Sequence, residues 1–303
     1  MKNHLDHNFD HHFIHKGTPM KRSLLARLRL NGAGYLLSAF LFIICIPLYQ
    51  ILVLAPTGFS DALNAAGNGQ FTGYLSWLHT HNLLFIGYRL LLLIAFALLF
   101  SLPFSLFRII VAQELLGQQE RAAELENAET AESTESTETA PEEELSQAED
   151  LPEDAWRGKG FIVLAAWSGM IGLGLYLLVT LISTIYFVSL GTGYTQGSTQ
   201  PSAIATFASL FAILSNTVAI GLIALSTFFF GVMIVRARDL WPKMWTAFGY
   251  LALVVTALLS GSAVAIASAP VTGQSLLTTP ATLLFAAWTL WLGSMLVRLQ
   301  PEA

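Results

Sequence analysis

The sequence predicts an all-α, polytopic membrane protein of six transmembrane helices with both termini in the cytoplasm. Three observations lead there. The 303 residues are 54% hydrophobic and only 12% charged, with a mean hydropathy of +0.60, far too apolar for an ordinary soluble domain. Six continuous apolar stretches lie at 32–54, 83–107, 161–190, 203–235, 244–268 and 280–297. A helix crosses a bilayer in about 20 residues, because the hydrocarbon layer is about 30 Å thick and the helix rises about 1.5 Å per residue. The third observation is the distribution of charge. None of the fifteen Lys and Arg residues falls in the connections 55–82, 191–202 and 269–279, which share one side of the membrane. Fourteen lie in the termini and the other connections, and only Arg89 lies inside an apolar stretch. Basic residues near span ends are retained in the cytoplasm during insertion, so the bias sets the orientation.

Residues 1–30 form a His-rich and basic cytoplasmic lead, and Met20 is a second candidate start ahead of Lys21 and Arg22. His7, His11 and His15 recur at four-residue spacing, which would put three imidazoles on one helical face as weak metal-ligand candidates. No Cys or fixed scaffold accompanies them, so a plain polar tail is the alternative.

Residues 31–112 hold the first two spans and the outer loop 55–82. The run from Ala33 to Ala55 is too long for a signal-peptide core, and Pro56 disfavours cleavage after Ala55, so the first span is an uncleaved anchor. Pro47 and Pro103 should kink the two helices. In the loop, Phe71, Tyr74, Leu75, Trp77 and Leu78 follow helical spacing, which predicts an amphipathic helix with its aromatics at headgroup depth.

Residues 113–159 form a cytoplasmic linker. From Glu114 to Asp154 there are fifteen acidic residues and one Arg, a net of −14. Its polar middle, 128–150, buries too little to offset ordering entropy and should be disordered. Residues 160–303 supply the last four spans. Ala165-x3-Gly169 with Gly172 and Gly174 in the third, and Gly261-x3-Ala265-x3-Ala269 in the fifth, are small-residue stripes. Such stripes let helices approach closely, and they nominate these two spans as the packed centre. Arg236–Lys243 reads as a short basic turn around Pro242.

The candidate functional residues are few. Arg89 either snorkels to the outer headgroups or is an intramembrane functional charge, with no Asp or Glu in any span to pair with it. Thr180 and Thr184 in the third span and Asn216 in the fourth form a polar seam that suits either interhelical hydrogen bonding or a solute path. On the outer face His79 and His81, with Asp61, could make a small metal or proton site, with interfacial anchoring as the plainer reading. Cys45 is the only cysteine, so no internal disulfide forms. Nucleotide-binding glycine loops, Gly-x-Ser-x-Gly elbows and His-Glu-x-x-His helices are absent, so no enzyme activity and no cofactor are expected. A basic surface for nucleic acid is lacking too.

Three segments carry a family resemblance: Arg29 to Leu37 (RLNGAGYLL), Leu83-Leu84-Phe85-Ile86-Gly87, and Phe230-Gly231 with Arg236 to Tyr250 (RARDLWPKMWTAFGY). In these the layout resembles bacterial six-helix integral membrane proteins grouped as a domain of unknown function. The resemblance implies a bacterial cytoplasmic membrane and brings no activity or site. The acidic linker and the His-rich lead depart from it. The functional expectation is therefore a non-enzymatic multi-pass protein engaged in small-molecule transport or permeation. The alternative is a membrane-anchored regulatory or assembly protein, in which the acidic linker meets a protein partner.

Overall fold

The structure is a computed structural model, in which residues 22–114, 117, 154–195, 203–268 and 276–299 are described. Among the described residues every regular element is helical, and six helices are long and apolar enough to cross a membrane. The protein is a multi-pass membrane protein.

The first span, α1, starts at Arg22 and runs through two π-helical segments, Leu41–Cys45 and Gln50–Leu54, before a 3-10 turn at Ala55–Thr57. Pro47 lies in the short α-helical turn between those segments. The wider π turns absorb the proline's missing N–H and its ring, so the expected disturbance takes this form. A short helix, α2 (Phe59–Gly67), follows Gly58, whose φ of +78° is left-handed and open to glycine at little cost. The second span, α3, begins at Phe71, is interrupted by a turn at 99–101 just ahead of Pro103, and resumes over 102–114. The remaining spans are α4 (Asp154–Thr192), α5 (Ile204–Arg236, π-helical over Ile213–Ala219), α6 (Lys243–Ser268) and α7 (Thr278–Val297). Between α5 and α6 a 3-10 turn, Arg238–Leu240, and Pro242 make the short basic connection that the sequence predicts.

The spans stand in a ring in chain order. Each packs on the next, α1 on α3, α3 on α4, α4 on α5, α5 on α6 and α6 on α7, and α7 closes the circle against α1. Closure relies on glycine. A Cβ on Gly293 would sit 2.8 Å from the Gly32 carbonyl oxygen, and one on Gly32 would sit 2.8 Å from the Leu296 Cβ. At the same seam the Arg29 guanidinium donates to the Leu299 carbonyl, through Nε at 2.7 Å and through Nη2. That carbonyl is an orphan acceptor past the end of α7. Both ends of the described chain thus meet on one side of the bundle.

The small-residue stripe of the third span behaves as expected. A Cβ on Gly172 would lie 2.8 Å from the Ala219 carbonyl, and one on Gly169 would lie 2.5 Å from the Ser226 hydroxyl. The fifth span differs. Its tight approach is at Gly249 against Ile234 of α5, while Gly261 meets only the Leu277 side chain at 3.1 Å. α5 stands between α4 and α6, so those two helices are not paired as the packed centre.

The centre of the ring is filled. Phe248 and Trp288 stack with centroids 5.0 Å apart, Phe285 stacks on Trp288, and Phe96 meets Tyr176 at 3.9 Å. Outwards, Leu52, Ile185, Trp167 and Val264 are exposed. Such a surface belongs in lipid, and with lipid outside the helices are held by close packing rather than by the hydrophobic effect.

Candidate functional site

The segment between the first and second spans decides the surroundings of Arg89. At His81 the α3 backbone leaves the helical region (φ −126°, ψ 30°), and the helix changes direction there. The result is a fold-back: the Tyr74 ring lies edge-to-face 6.4 Å from Phe85 and 5.8 Å from Phe187 of α4. Phe71, Tyr74, Leu75, Trp77 and Leu78 are all buried. The amphipathic helix therefore forms as the spacing predicts, but its aromatic face closes onto the bundle instead of lying among headgroups. Trp77 fastens it by donating from Nε1 to the Thr57 carbonyl at 3.0 Å. A second, smaller core results, in which α2 and the start of α3 cap α4 and the start of α5.

Arg89 lies where this cap meets the main core. The side chain is half-buried. Nε is fully buried and has no hydrogen-bond partner, Cζ lies 5.1 Å from the Phe85 ring centroid, and the Tyr74 hydroxyl lies near the guanidinium. The Tyr88 and Tyr176 hydroxyls are close enough for its charge to act on them. Tyr88 accepts from Gln50 Nε2 at 2.8 Å, and the Tyr176 hydroxyl lies near Thr180. No carboxylate faces the arginine among the described residues, and the six apolar stretches contain none.

Two of the sequence candidates lie at its level. Phe96 of α3 opposes Tyr176 of the antiparallel α4. Stepping back seven residues on one helix and forward seven on the other sets Arg89 level with Ser183, between Thr180 and Thr184. All three hydroxyl residues are buried. Ser183 and Thr184 also donate to the Thr180 carbonyl, at 3.0 and 2.6 Å. Asn216 is in the π-helical segment of α5. The Gly172–Ala219 approach puts that segment opposite the α4 turn bearing Tyr176. Extra residues per turn of this kind recur at functional sites in membrane and soluble helices alike.

The outer-face candidates do not assemble. Among the described residues no three His, Cys, Asp or Glu side chains come together as a metal site, so His79, His81 and Asp61 do not form one. His79 Nδ1 is 3.1 Å from the Gly191 carbonyl and ties the cap to the end of α4. His81 marks the bend and stacks on Trp77 at 5.3 Å. Asp61 is exposed in the first turn of α2, where its charge favours the helix start. His7, His11, His15 and the linker's 118–153 lie outside the described residues.

Four members of the Arg89 surroundings escaped the sequence reading: Gln50, Tyr74, Tyr88 and Tyr176. Gln50, a lone amide in an apolar span, and Tyr88, adjacent to the arginine, carried a usable signal. Tyr74 carried none, because fifteen residues of straight helix would hold it about 22 Å from Arg89.

Chemically the arrangement offers an anion a cationic donor among hydroxyl groups. The contact with the Phe85 ring supplies no negative charge. The guanidinium keeps a free Nε donor, next to hydroxyls that can donate to an anion as well. Compared with protein families, with curated proteins and with solved structures, the chain matches none.

Proposed function

We propose that this protein binds and translocates a small organic anion across the cytoplasmic membrane, without enzymatic chemistry. Arg89 is the anion anchor; Tyr74, Tyr88, Tyr176 and Thr180 form the hydroxyl rim. The single observation that carries the reading is the buried Arg89 Nε, unpartnered beneath a folded-back helix and facing no carboxylate among the described residues. The aromatic walls, Phe85 above all, favour a carboxylate with an apolar body over a bare inorganic ion. The filled centre of the ring speaks for a carrier that alternates between closed forms rather than for an open pore. In orientation, the basic ends face the cytoplasm and the fold-back cap faces outward, as the distribution of Lys and Arg supports. The six-helix bacterial family noted above fits this placement.

Charge movement in proteoliposomes tests the reading. Addition of benzoate, lactate or succinate should give a transient current with the wild-type chain and none with Arg89→Leu, choline chloride serving as the blank. Equal currents from both proteins would remove Arg89 from any transport role. Deletion of 128–150 separates the alternative: a regulatory scaffold acting through its acidic linker loses function on that deletion, whereas anion currents persist.

A further inference from the structure

A second polar site lies at the opposite end of the bundle. Between α1 and α3 a cleft of about 270 Å³ is lined by Arg27, Asn31, Ser101, Phe104, Ser105 and Arg108. It opens where α3 is interrupted at 99–101, ahead of Pro103. Its base is a built hydrogen-bond network. The Tyr35 hydroxyl, on a fully buried ring, lies 3.0 Å from Ser101 Oγ and 2.8 Å from Ser105 Oγ, and Asn31 Nδ2 donates to Ser105 Oγ at 2.9 Å. Its mouth is formed by Arg27 and Arg108, both exposed, and neither is ion-paired among the described residues. Arg29, by contrast, is spent on the Leu299 carbonyl and is not free for a ligand.

We propose that this cleft binds the phosphodiester of an anionic phospholipid. The order of chemistry along the cleft fits a lipid's own order with depth. Ser101 is seven residues from Arg108 along α3, roughly 10 Å deeper at 1.5 Å per residue. Two guanidiniums at headgroup level match a phosphate, for which arginine's planar fork is suited. The Ser101, Ser105 and Asn31 groups one layer down match the glycerol ester carbonyls. Phe104, exposed on the flank, lies where an acyl chain would continue into the bilayer. Free phosphate shares the arginine chemistry but would leave the deeper polar layer unused.

Native mass spectrometry of the full chain, released from phosphatidylcholine nanodiscs doped with phosphatidylglycerol, tests the site. The wild type should retain one phosphatidylglycerol, and Arg27→Gln with Arg108→Gln should lower that retention about ten-fold or more. Arg236→Gln with Lys243→Gln, altered on the same end but outside the cleft, should retain the lipid as the wild type does. Arg27→Lys with Arg108→Lys keeps the charge, protects against misfolding as an explanation, and should lose only part of the binding. Millimolar inorganic phosphate should not displace the lipid. Equal retention by wild type and the double Gln variant overturns the proposal. So does displacement by inorganic phosphate, which assigns the cleft to a free anion. Retention that appears only after deletion of 128–150 overturns it as well, because the chain's own acidic segment is then the occupant.

Discussion

Tyr74 and Phe85 touch edge-to-face at 6.4 Å although eleven residues separate them in one continuous helical stretch. On a straight helix their Cα atoms would be about 16 Å apart. The bend at His81 removes that distance and carries the Tyr74 hydroxyl to the Arg89 guanidinium. The only charged residue in the apolar stretches therefore has its Nε buried beneath the fold-back.

Removing that hydroxyl should be costly out of proportion to its size. Tyr74→Phe keeps the ring contacts with Phe85 and Phe187. It removes a hydroxyl that neighbours the Arg89 charge, a polar interaction worth about 0.5–1.5 kcal/mol. Thermal unfolding in detergent should show a clear drop for Tyr74→Phe and almost none for Tyr250→Phe, whose side chain is exposed.

Glycine substitutions should divide by what a methyl would meet. Gly172→Ala places a Cβ 2.8 Å from the Ala219 backbone carbonyl, which cannot rotate away, so α4 and α5 must separate. Overpacking of this kind costs about 1–3 kcal/mol. At Gly221 a Cβ meets nothing within 4 Å, and Ala in a helix interior gains about 0.5–1 kcal/mol over Gly. Unfolding midpoints of the two single variants should move in opposite directions. A Gly172→Ala protein as stable as wild type would show that the helices are not this close.

Trp288 offers a separate test of the core. Its ring is fully buried between Phe248 and Phe285, yet its Nε1–H has no acceptor. Trp288→Phe deletes that orphan donor, a gain of about 1–3 kcal/mol that opposes the loss of packing. Trp288→Ala has no such compensation and should lose about 3–5 kcal/mol. The Phe variant should consequently unfold near the wild-type temperature, and the Ala variant far below it.

How much of this was legible in the chain depends on the range of the interaction. Six apolar runs and their turns are local properties, and they reappear as α1 and α3 to α7 with Pro47 and Pro103 disturbing their helices as expected. Arg89, Thr180 and Thr184 stood out as polar groups in apolar company, and they share one level of the bundle. Tyr74 did not stand out, because an amphipathic stretch in an outer loop has the same spacing whether it faces headgroups or protein. His79, His81 and Asp61 looked associated because they are near in sequence, whereas the bend sends each to a different task. The stripes nominated α4 and α6 as the packed centre without naming a neighbour, since small residues say that something approaches without saying what. At Gly249 the neighbour is α5.

Arg89 itself separates stability from function. Leu in its place removes an intramembrane charge, which is costly to insert, and forfeits the contacts with Phe85 and Tyr74. These terms oppose each other, so Arg89→Leu should insert, and unfold within a few degrees of wild type. A residue retained only to hold the fold could then be replaced without consequence. An anion anchor could not, and Arg89→Leu should abolish benzoate-dependent stabilisation of the purified protein as well as the current. Arg89→Lys keeps the charge but loses the planar fork and the Nε donor, so it should bind benzoate more weakly while retaining a measurable current. Loss of both responses in the Leu variant with normal folding establishes a ligand role. A Lys variant that behaves like wild type would mean that charge alone is recognised and that the free Nε has no part in binding.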